Sequence, residues 1–525
     1  MNRLVVTFSK YNAHLLFIAI LAIGIFARVW EFGSLPPGLN PDEASIGVES
    51  YYIYKFGMDR NGMSYPVHLI SWGSGQNALY AYMLIPFVAL QGINAASVRL
   101  PMLLSGILSL PLIFIASKRL LGRKFALIAM FFLAISPWHI VNSRWAVESN
   151  IMPFFFLAGF TALLISNPKN WWFLVSFVFF ALCLYGYGTA YVGVPVFLLL
   201  VIPVLVYSKR MSVLQTVTGL IVFSLIAVPI VLFIAVNTLH LDTLRLGSVT
   251  IPSLPVEARY ETMAAVFGEN PLNAIRENAA IMFKVLWIQE DAFPWNFVAP
   301  FGYFYKFTLP LAAAGFILTL PFTANRETRV ERWFLLSWVV ASLTIGILHP
   351  VNLTRINLIF TPILLCVAVL IVKLEKYVPL TLPITVLVFS VGFILFNQAY
   401  HGDEYRKRAS GIFNDGIIPA IEFATEQSDS LICFSEQRYS LYIYVLLTQQ
   451  YHPSEYLDQL EWINPLDPAD PARTPLALKN YRFSLTDCAE DPSAVYVLVL
   501  KENPPVSDVE YKDKKFEKFL VYLPK

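Results

Sequence analysis

The chain has 525 residues, 57% of them hydrophobic and only 14% charged, with a formal net charge of +2. That composition excludes an ordinary soluble globular protein, and the apolar runs approach the roughly 20 residues that cross a bilayer, so the chain reads as an α-helical multi-pass membrane protein. Near-neutral charge, with no basic stripe interleaved with aromatics, argues against nucleic acid as a partner, and four cysteines without CxxC spacing argue against a zinc module.

Arg3 and Lys10 precede an apolar run from about Ala13 to Trp30. It lacks an A-x-A-like cleavage site and continues into Arg28, so it is expected to be a retained first span with a cytoplasmic N-terminus. The stretch GLNPDEASIGVESYYIY, residues 38–54, follows. Asn40, Pro41, Asp42 and Glu43 are expected at the N-cap, N1, N2 and N3 of a helix: asparagine caps, proline needs no N–H there, and acids suit the positive end of the helix dipole. Asn40 with Glu43 three residues on is a capping-box variant, which accounts for Glu43 without any chemistry. It does not account for Asp42, whose side chain points about 100° away around the helix. A structural cap and a catalytic acid both stand open on this stretch alone.

The next run, Ala78–Leu90, is short and rich in tyrosine, and suits a helix along the membrane interface better than a span. With that assignment the basic loops Lys118/Arg119/Arg123/Lys124, Lys169, Lys209/Arg210, Arg326/Arg329/Arg332 and Lys373/Lys376 all fall on the side of Arg3 and Lys10, as the positive-inside rule requires. Further apolar runs at about 98–117, 125–141, 151–166, 171–185, 191–207, 213–236, 308–324, 333–348, 356–372 and 378–397 bring the expectation to about eleven spans. The external loops are then about 31–97 and 237–307, and the expected domains are a transmembrane catalytic domain over 1–398 and a small extracytoplasmic α/β domain over 399–525.

Polar groups collect at the outer ends of these spans, where ionisable residues are costly and therefore candidates for function. Arg144 and Glu148, in SPWHIVNSRWAVESN, flank one outer turn; at i, i+4 spacing they also read as a local helical salt bridge. His349, Asn352, Arg355 and Asn357 open the tenth span, and His139 reads as an interfacial hydrogen-bonding residue. The second loop carries Arg259, Arg276 and Lys284 beside Trp287, Phe293, Trp295 and Phe297. Those aromatics suit a membrane-interface belt; basic groups beside apolar surface also suit a ligand with a phosphate head and a lipid tail.

In the C-terminal part, Ser430–Ser435 and Ala494–Leu500 read as strands, Gln437–Gln449 as a helix and Phe516–Leu523 as a final strand. Cys433 and Cys488 lie there and can pair if that part is exported, whereas Cys183 and Cys366 fall in apolar runs as packing residues. Glycine-rich phosphate loops are absent, which argues against a soluble nucleotide donor.

The order of these features resembles the GT-C superfamily: a first span, external Pro41-Asp42-Glu43, a tyrosine-rich helix before Val98-Arg99-Leu100-Pro101, a turn with Ser136-Pro137, Ser143-Arg144 and Glu148, and Asn352, Arg355, Ile356 and Asn357 where a late span begins. More narrowly it resembles the branch holding the protein O-mannosyltransferases and the lipid A aminoarabinose transferase. The likeness runs over about residues 1–400 and is strongest over about 38–165.

The resemblance implies an enzyme of the cell (inner) membrane that moves a hexosyl or pentosyl group from a polyprenyl-phosphate sugar donor to a hydroxyl of a glycan, lipid or protein acceptor on the non-cytoplasmic face. It aligns Asp42 with the family's essential acid, Glu43 with its neighbour and Glu148 with the second acidic position. Asp42 is then the expected base. Glu43 and Glu148 position the acceptor, or hold a divalent cation if one takes part, and Arg144 keeps Glu148 ionised. Relatives often carry a lysine where Gln76 stands; glutamine donates a hydrogen bond but cannot neutralise a phosphate. That departure shifts the phosphate contact to Arg355, helped by His349, or to Arg259 or Arg276, with Gln76, Tyr80, Tyr82 and Asn352 completing the substrate-binding set. The rival reading is a transporter or flippase of lipid-linked sugars, a class that commonly shows internal repeats; no repeat is visible here.

Overall fold

The structure is a computed structural model and describes residues 2–72, 75–255, 270–289, 295–321, 329–435, 440–462, 475–488, 491–506 and 509–525. In chain order its helices are α1 (Asn2–Val29), α2 (Pro41–Phe56), α3 (Leu79–Gln91), α4 (Ala95–Leu121), α5 (Arg123–Ala134), α6 (Pro137–Asn142), α7 (Glu148–Ile165), α8 (Trp172–Gly186), α9 (Ala190–Tyr207) and α10 (Val213–Thr238). Then come α11 (Pro271–Ile288), α12 (Thr308–Thr319), α13 (Arg329–Leu348), α14 (Leu353–Ile356), α15 (Phe360–Leu374), α16 (Thr381–Tyr400), α17 (Asp403–Ile412), α18 (Ile417–Gln427) and α19 (Tyr442–Gln449).

Within the described residues the expected apolar runs fall largely on helices, and seven described helices are long and apolar enough to cross a membrane: α4, α7, α9, α10, α13, the Leu353–Leu374 segment and α16. The chain is a multi-pass membrane protein, with apolar side chains such as Leu225, Val231, Ile384 and Leu387 left exposed along α10 and α16, as lipid-facing helices require. The run at 125–141 departs from expectation. It is not one continuous helix but breaks at Ile135 and Ser136, because Pro137 has no N–H to continue the ladder and disfavours helix in the residue before it.

The chain forms two compact units, one from Met1–Phe32, Met102–Val228 and Tyr260–Gly402, the other from Gly33–Pro101, Pro229–Arg259 and Asp403–Lys525. The first is the helical membrane body. Its centre is an aromatic cluster of Phe156, Phe160, Phe180, Phe197 and Trp338 from α7, α8, α9 and α13, with ring centroids 4.7–6.0 Å apart in tilted and edge-on pairs, the geometry that ring quadrupoles favour. At Gly315 a Cβ would meet the Cys366 carbonyl oxygen at 2.0 Å. Only glycine lets α12 and α15 approach this closely, the small-residue logic of helices that pack in lipid.

The second unit holds α2, α3 and two short hairpins, β1 (His68–Leu69) with β2 (Gln76–Asn77) and β3 (Leu244–Leu246) with β4 (Val249–Ile251). α3 has 13 residues and packs on α2; at 1.5 Å per residue it is about 20 Å long, short of a roughly 30 Å hydrocarbon core. The C-terminal part adds β5 (Ile432–Phe434), β6 (Glu461–Trp462), β7 (Pro475–Leu478), β8 (Tyr481–Arg482), β9 (Val495–Val499), β10 (Tyr511–Phe516) and β11 (Phe519–Pro524). They form one sheet of order β10-β11-β9-β5-β8-β7-β6, in which β5 runs parallel to β8 and β9 and the other neighbours are antiparallel.

The expected strands at 430–435 and 494–500 are β5 and β9, and the expected helix ends as α19 at Gln449, its first residues, including Gln437, lying outside the described ones. The final strand is corrected. Phe516 ends β10 and pairs with Phe519 across a two-residue turn, so β11 begins at Phe519. β10 gave no sequence signal because its four central residues, Lys512 to Lys515, are charged and exposed, the composition of a protected sheet edge rather than of an alternating strand.

Cys433 on β5 and Cys488 form a disulfide that closes a 55-residue separation inside the core of this sheet. By loop-closure entropy, Cys433→Ser should lower the stability of the C-terminal sheet by about 4 kcal/mol. Hydrogen exchange of β5 and β9, with and without the substitution, measures this.

Candidate active site

The start of α2 is built as its residues dictate. Asn40 Oδ1 accepts from the Glu43 backbone N–H at 2.8 Å, and the Asn40 N–H donates to Glu43 Oε2 at 3.2 Å, completing the capping box. The Glu43 side chain does more than cap. Arg99, on the first turns of α4, donates from Nε to Oε1 at 2.7 Å and from Nη2 to Oε2 at 2.8 Å, and both side chains are fully buried. The same guanidinium reaches the carbonyls of Pro36 at 2.7 Å and Gly38 at 2.8 Å. Gly38 has φ +74°, and a Cβ there would meet the Phe413 carbonyl at 2.3 Å. The Tyr444 hydroxyl donates to the Leu39 carbonyl at 2.7 Å. The backbone that delivers residues 40–43 is thus tied down from α4 and from the C-terminal segment of the same unit.

Asp42 is only half-buried. Its Oδ1 accepts from the Trp72 indole N–H at 2.8 Å. Trp72 has φ +51°, a left-handed backbone that costs a bulky residue on the order of 1–3 kcal/mol and occurs disproportionately at functional sites. Its ring meets Tyr442 edge-on at 6.3 Å, and the Arg60 guanidinium lies 5.4 Å from its centroid and 5.9 Å from that of Tyr442. Arg60 is buried and pairs with Glu49 at 3.2 Å, donates to Ser45 Oγ at 2.5 Å and Ser71 Oγ at 3.2 Å, and offers its own N–H to Glu49 Oε2 at 3.0 Å. Burial pushes the Glu49 carboxyl up to about 8 against the pull of Arg60. Burial likewise raises Asp59 to about 6, against hydrogen bonds from the Met63 and Asn61 N–H groups. Trp72, Arg60 and Glu49 carried no motif in the sequence; an acid and an arginine so near one another in a loop was the only available signal.

The other expected residues of this unit sit close by in sequence but are braced to backbone. Gln76 is buried on β2 opposite Leu69. The Tyr80 hydroxyl donates to the Val98 carbonyl at 2.8 Å and that of Tyr82 to the Pro66 carbonyl at 2.9 Å. Arg259 and Phe293 lie outside the described residues.

In the membrane body, Arg144 and Glu148 are not a helical i, i+4 pair: α6 ends at Asn142 and α7 begins at Glu148, with an irregular turn between. Fully buried Arg144 donates to the carbonyls of Ala27 at 3.3 Å and Arg28 at 3.2 Å and lies 5.2 Å from the Tyr400 ring centroid. Arg28 itself is buried, donates to the carbonyls of Gly24, Leu133 and Ala134, and lies 2.7 Å from His139 Nδ1, so His139 is the hydrogen-bonding residue its position suggested.

Asn352 caps α14, its Oδ1 accepting from the Arg355 N–H at 2.9 Å. The Asn357 amide donates to the Ser149 carbonyl at 2.8 Å, which fastens this turn to the first residues of α7, beside Glu148. Arg355 donates from Nη1 to the Pro350 carbonyl at 2.9 Å, and its Nε has no partner among the described residues. His349 Nδ1 is likewise buried and unpartnered there. Burial lowers the His349 pKa, and the Arg355 charge adds to that, so the ring is neutral near pH 7. Arg276 is exposed on α11, which packs on α13 with the Asn278 amide bonded to the Ile347 carbonyl at 3.2 Å. Two turns on, Phe283, Leu286 and Trp287 of α11 help line an apolar groove of about 410 Å³ between α12, α13 and α15.

Among the described residues no group of three or more His, Cys, Asp or Glu is arranged to hold a metal ion, and the Glu43 charge is matched by Arg99.

The chain is similar in fold to solved membrane-protein structures and, over part of its length, in sequence to one glycosyltransferase family. Its fold matches ArnT from Cupriavidus metallidurans bound to undecaprenyl phosphate with a TM-score of 0.52 over 97% of each chain, at 13% sequence identity. It also matches the archaeal oligosaccharyltransferase AglB from Archaeoglobus fulgidus, in complex with an inhibitory peptide and a dolichol-phosphate, with a TM-score of 0.50 and 14% identity over 84% of this chain. The chain spans 64% of the length of that oligosaccharyltransferase. By sequence, residues 18–245 match the family of dolichyl-phosphate-mannose-protein mannosyltransferases, a segment that contains Asp42, Glu43, Trp72, Arg99, Arg144 and Glu148. No curated protein matches the chain by sequence.

Proposed function

We propose that the protein is a glycosyltransferase that moves a sugar from a polyprenyl-phosphate carrier to an acceptor hydroxyl at the non-cytoplasmic face of the cell membrane. The observation that carries this reading is the division of labour at the start of α2. Glu43 serves the cap and pairs with Arg99, whereas neighbouring Asp42 is half-buried and accepts the Trp72 indole N–H.

In this reading Asp42 takes the proton of the acceptor hydroxyl, the oxygen attacks the anomeric carbon, and the bond from that carbon to the phosphate oxygen breaks. The charge that develops on a leaving phosphate calls for a cation, and within the membrane body the Arg355 Nε and the His349 Nδ1 have no protein partner among the described residues. The groove beside α11 suits the prenyl chain, and Arg276 lies on the Phe283 face of that helix, seven residues or about 10 Å away. The disulfide suits an oxidising compartment for the C-terminal part, in keeping with basic loops on the opposite side. ArnT binds undecaprenyl phosphate, which supports the same class of carrier here.

Purified protein in detergent, given a set of polyprenyl-phosphate sugars, is expected to cleave at least one of them and release or transfer the sugar. Detergent leaves no second compartment, so a flippase would return every donor covalently intact, and that result would replace this reading.

A further inference from the structure

We propose that Trp72 is a positioning residue for the transfer reaction: its indole N–H fixes the Asp42 carboxylate and favours its ionised form, and Tyr442 of the C-terminal domain together with Arg60 holds the indole in place. The proposal rests on the reading of Asp42 as the base.

The contact is direct, Nε1 to Oδ1 at 2.8 Å, and a donor to the charged form of a carboxylate favours that form. A general base must be ionised at the working pH and aimed at the proton it takes. The indole does not rest in an easy conformation. At φ +51° a tryptophan is disfavoured, so its neighbours must over-determine it. They do so from three segments. Arg60 lies across the ring, with Glu49, Ser45 and Ser71 clamping the guanidinium; Tyr442 of α19 meets the ring edge; and the Tyr456 hydroxyl donates to the Arg60 carbonyl at 2.6 Å. Among the acids of the same unit, Glu43 is paired with Arg99, Glu49 with Arg60, and Asp59 is bonded by the N–H groups of Asn61 and Met63. The C-terminal domain thereby acts on the chemistry through Trp72: it supplies the edge that keeps the indole where Asp42 needs it.

Trp72→Phe keeps the ring and removes only the donor. Difference infrared spectroscopy of the full-length protein as a function of pH, with the Asp42 carboxyl band assigned by its loss in Asp42→Asn, is expected to show the Asp42 midpoint rising by about one unit, tenfold in proton affinity. In the sugar-release assay the acid limb of kcat/KM should move the same way, with kcat lowered about tenfold and the donor KM unchanged. A folded Trp72→Phe protein with an unmoved midpoint overturns the proposal. Should that variant fail to fold, Tyr442→Leu removes the brace and leaves the donor in place; its midpoint should rise by a smaller amount, and no rise overturns the proposal equally. Retention of full activity in Asp42→Asn would instead remove Asp42 as the base, while the infrared midpoints would still report whether Trp72 controls its titration.

Discussion

Arg99→Met should destabilise the unit that carries α2 by about 3–5 kcal/mol, because it leaves the Glu43 carboxylate buried without its cation. The arithmetic favours the pair over the other contacts at this helix start. The capping box contributes about 1 kcal/mol, and the Arg99 hydrogen bonds to the carbonyls of Pro36 and Gly38 about 1–3 kcal/mol each at most, whereas an unpaired buried charge exceeds either. Two further variants separate the contributions. Arg99→Lys restores a charge but not the fork that serves both oxygens of Glu43 and the two carbonyls, so it should fall between wild type and methionine. Arg99→Met combined with Glu43→Leu removes both charges and should recover part of the loss, though not the cap. Thermal unfolding of the purified variants in detergent measures all three. If Arg99→Met alone unfolds like wild type, the pair is not what holds the start of α2, and the assignment of Glu43 to structure rather than chemistry falls with it.

How much of this was legible beforehand depends on the distance over which each feature acts. The capping box spans Asn40 to Glu43, so local rules find it, and the apolar runs mark their helices because lipid asks for about 20 such residues together. The strand pair β5 and β9 could be read from continuous apolar residues. Partners far apart in sequence could not. Arg99 begins an apolar segment, where an arginine needs a counter-ion, yet nothing local says that the counter-ion is Glu43, 56 residues earlier. The Trp72 contact with Tyr442 joins residues whose only sequence signal is that both are aromatic. For Arg144 and Glu148 only the helical part of the i, i+4 reading is corrected: that spacing implies helical neighbours only where the helix is continuous, and here it stops at Asn142 and restarts at Glu148.

The same distinction predicts how the two adjacent carboxylates respond to neutralisation. Asp42→Asn is expected to lower sugar transfer by at least about a thousandfold, within the range a lost general base accounts for, while leaving the fold nearly unchanged. Asparagine keeps an oxygen that can accept from the Trp72 N–H, and at N2 of a helix the lost charge forfeits only about 0.3–1 kcal/mol of interaction with the dipole. Glu43→Gln should do the reverse in kind. It weakens the Arg99 pair and the capping box, so the melting temperature falls, and whatever activity is lost should track the folded fraction. Release of sugar from the donor that the wild type cleaves, measured beside thermal unfolding for both variants, distinguishes them. Full transfer by a folded Asp42→Asn protein would remove Asp42 from the chemistry. A thousandfold loss in folded Glu43→Gln protein would move the base one residue along, and would require the Arg99 pair to open during turnover so that Glu43 could reach the acceptor.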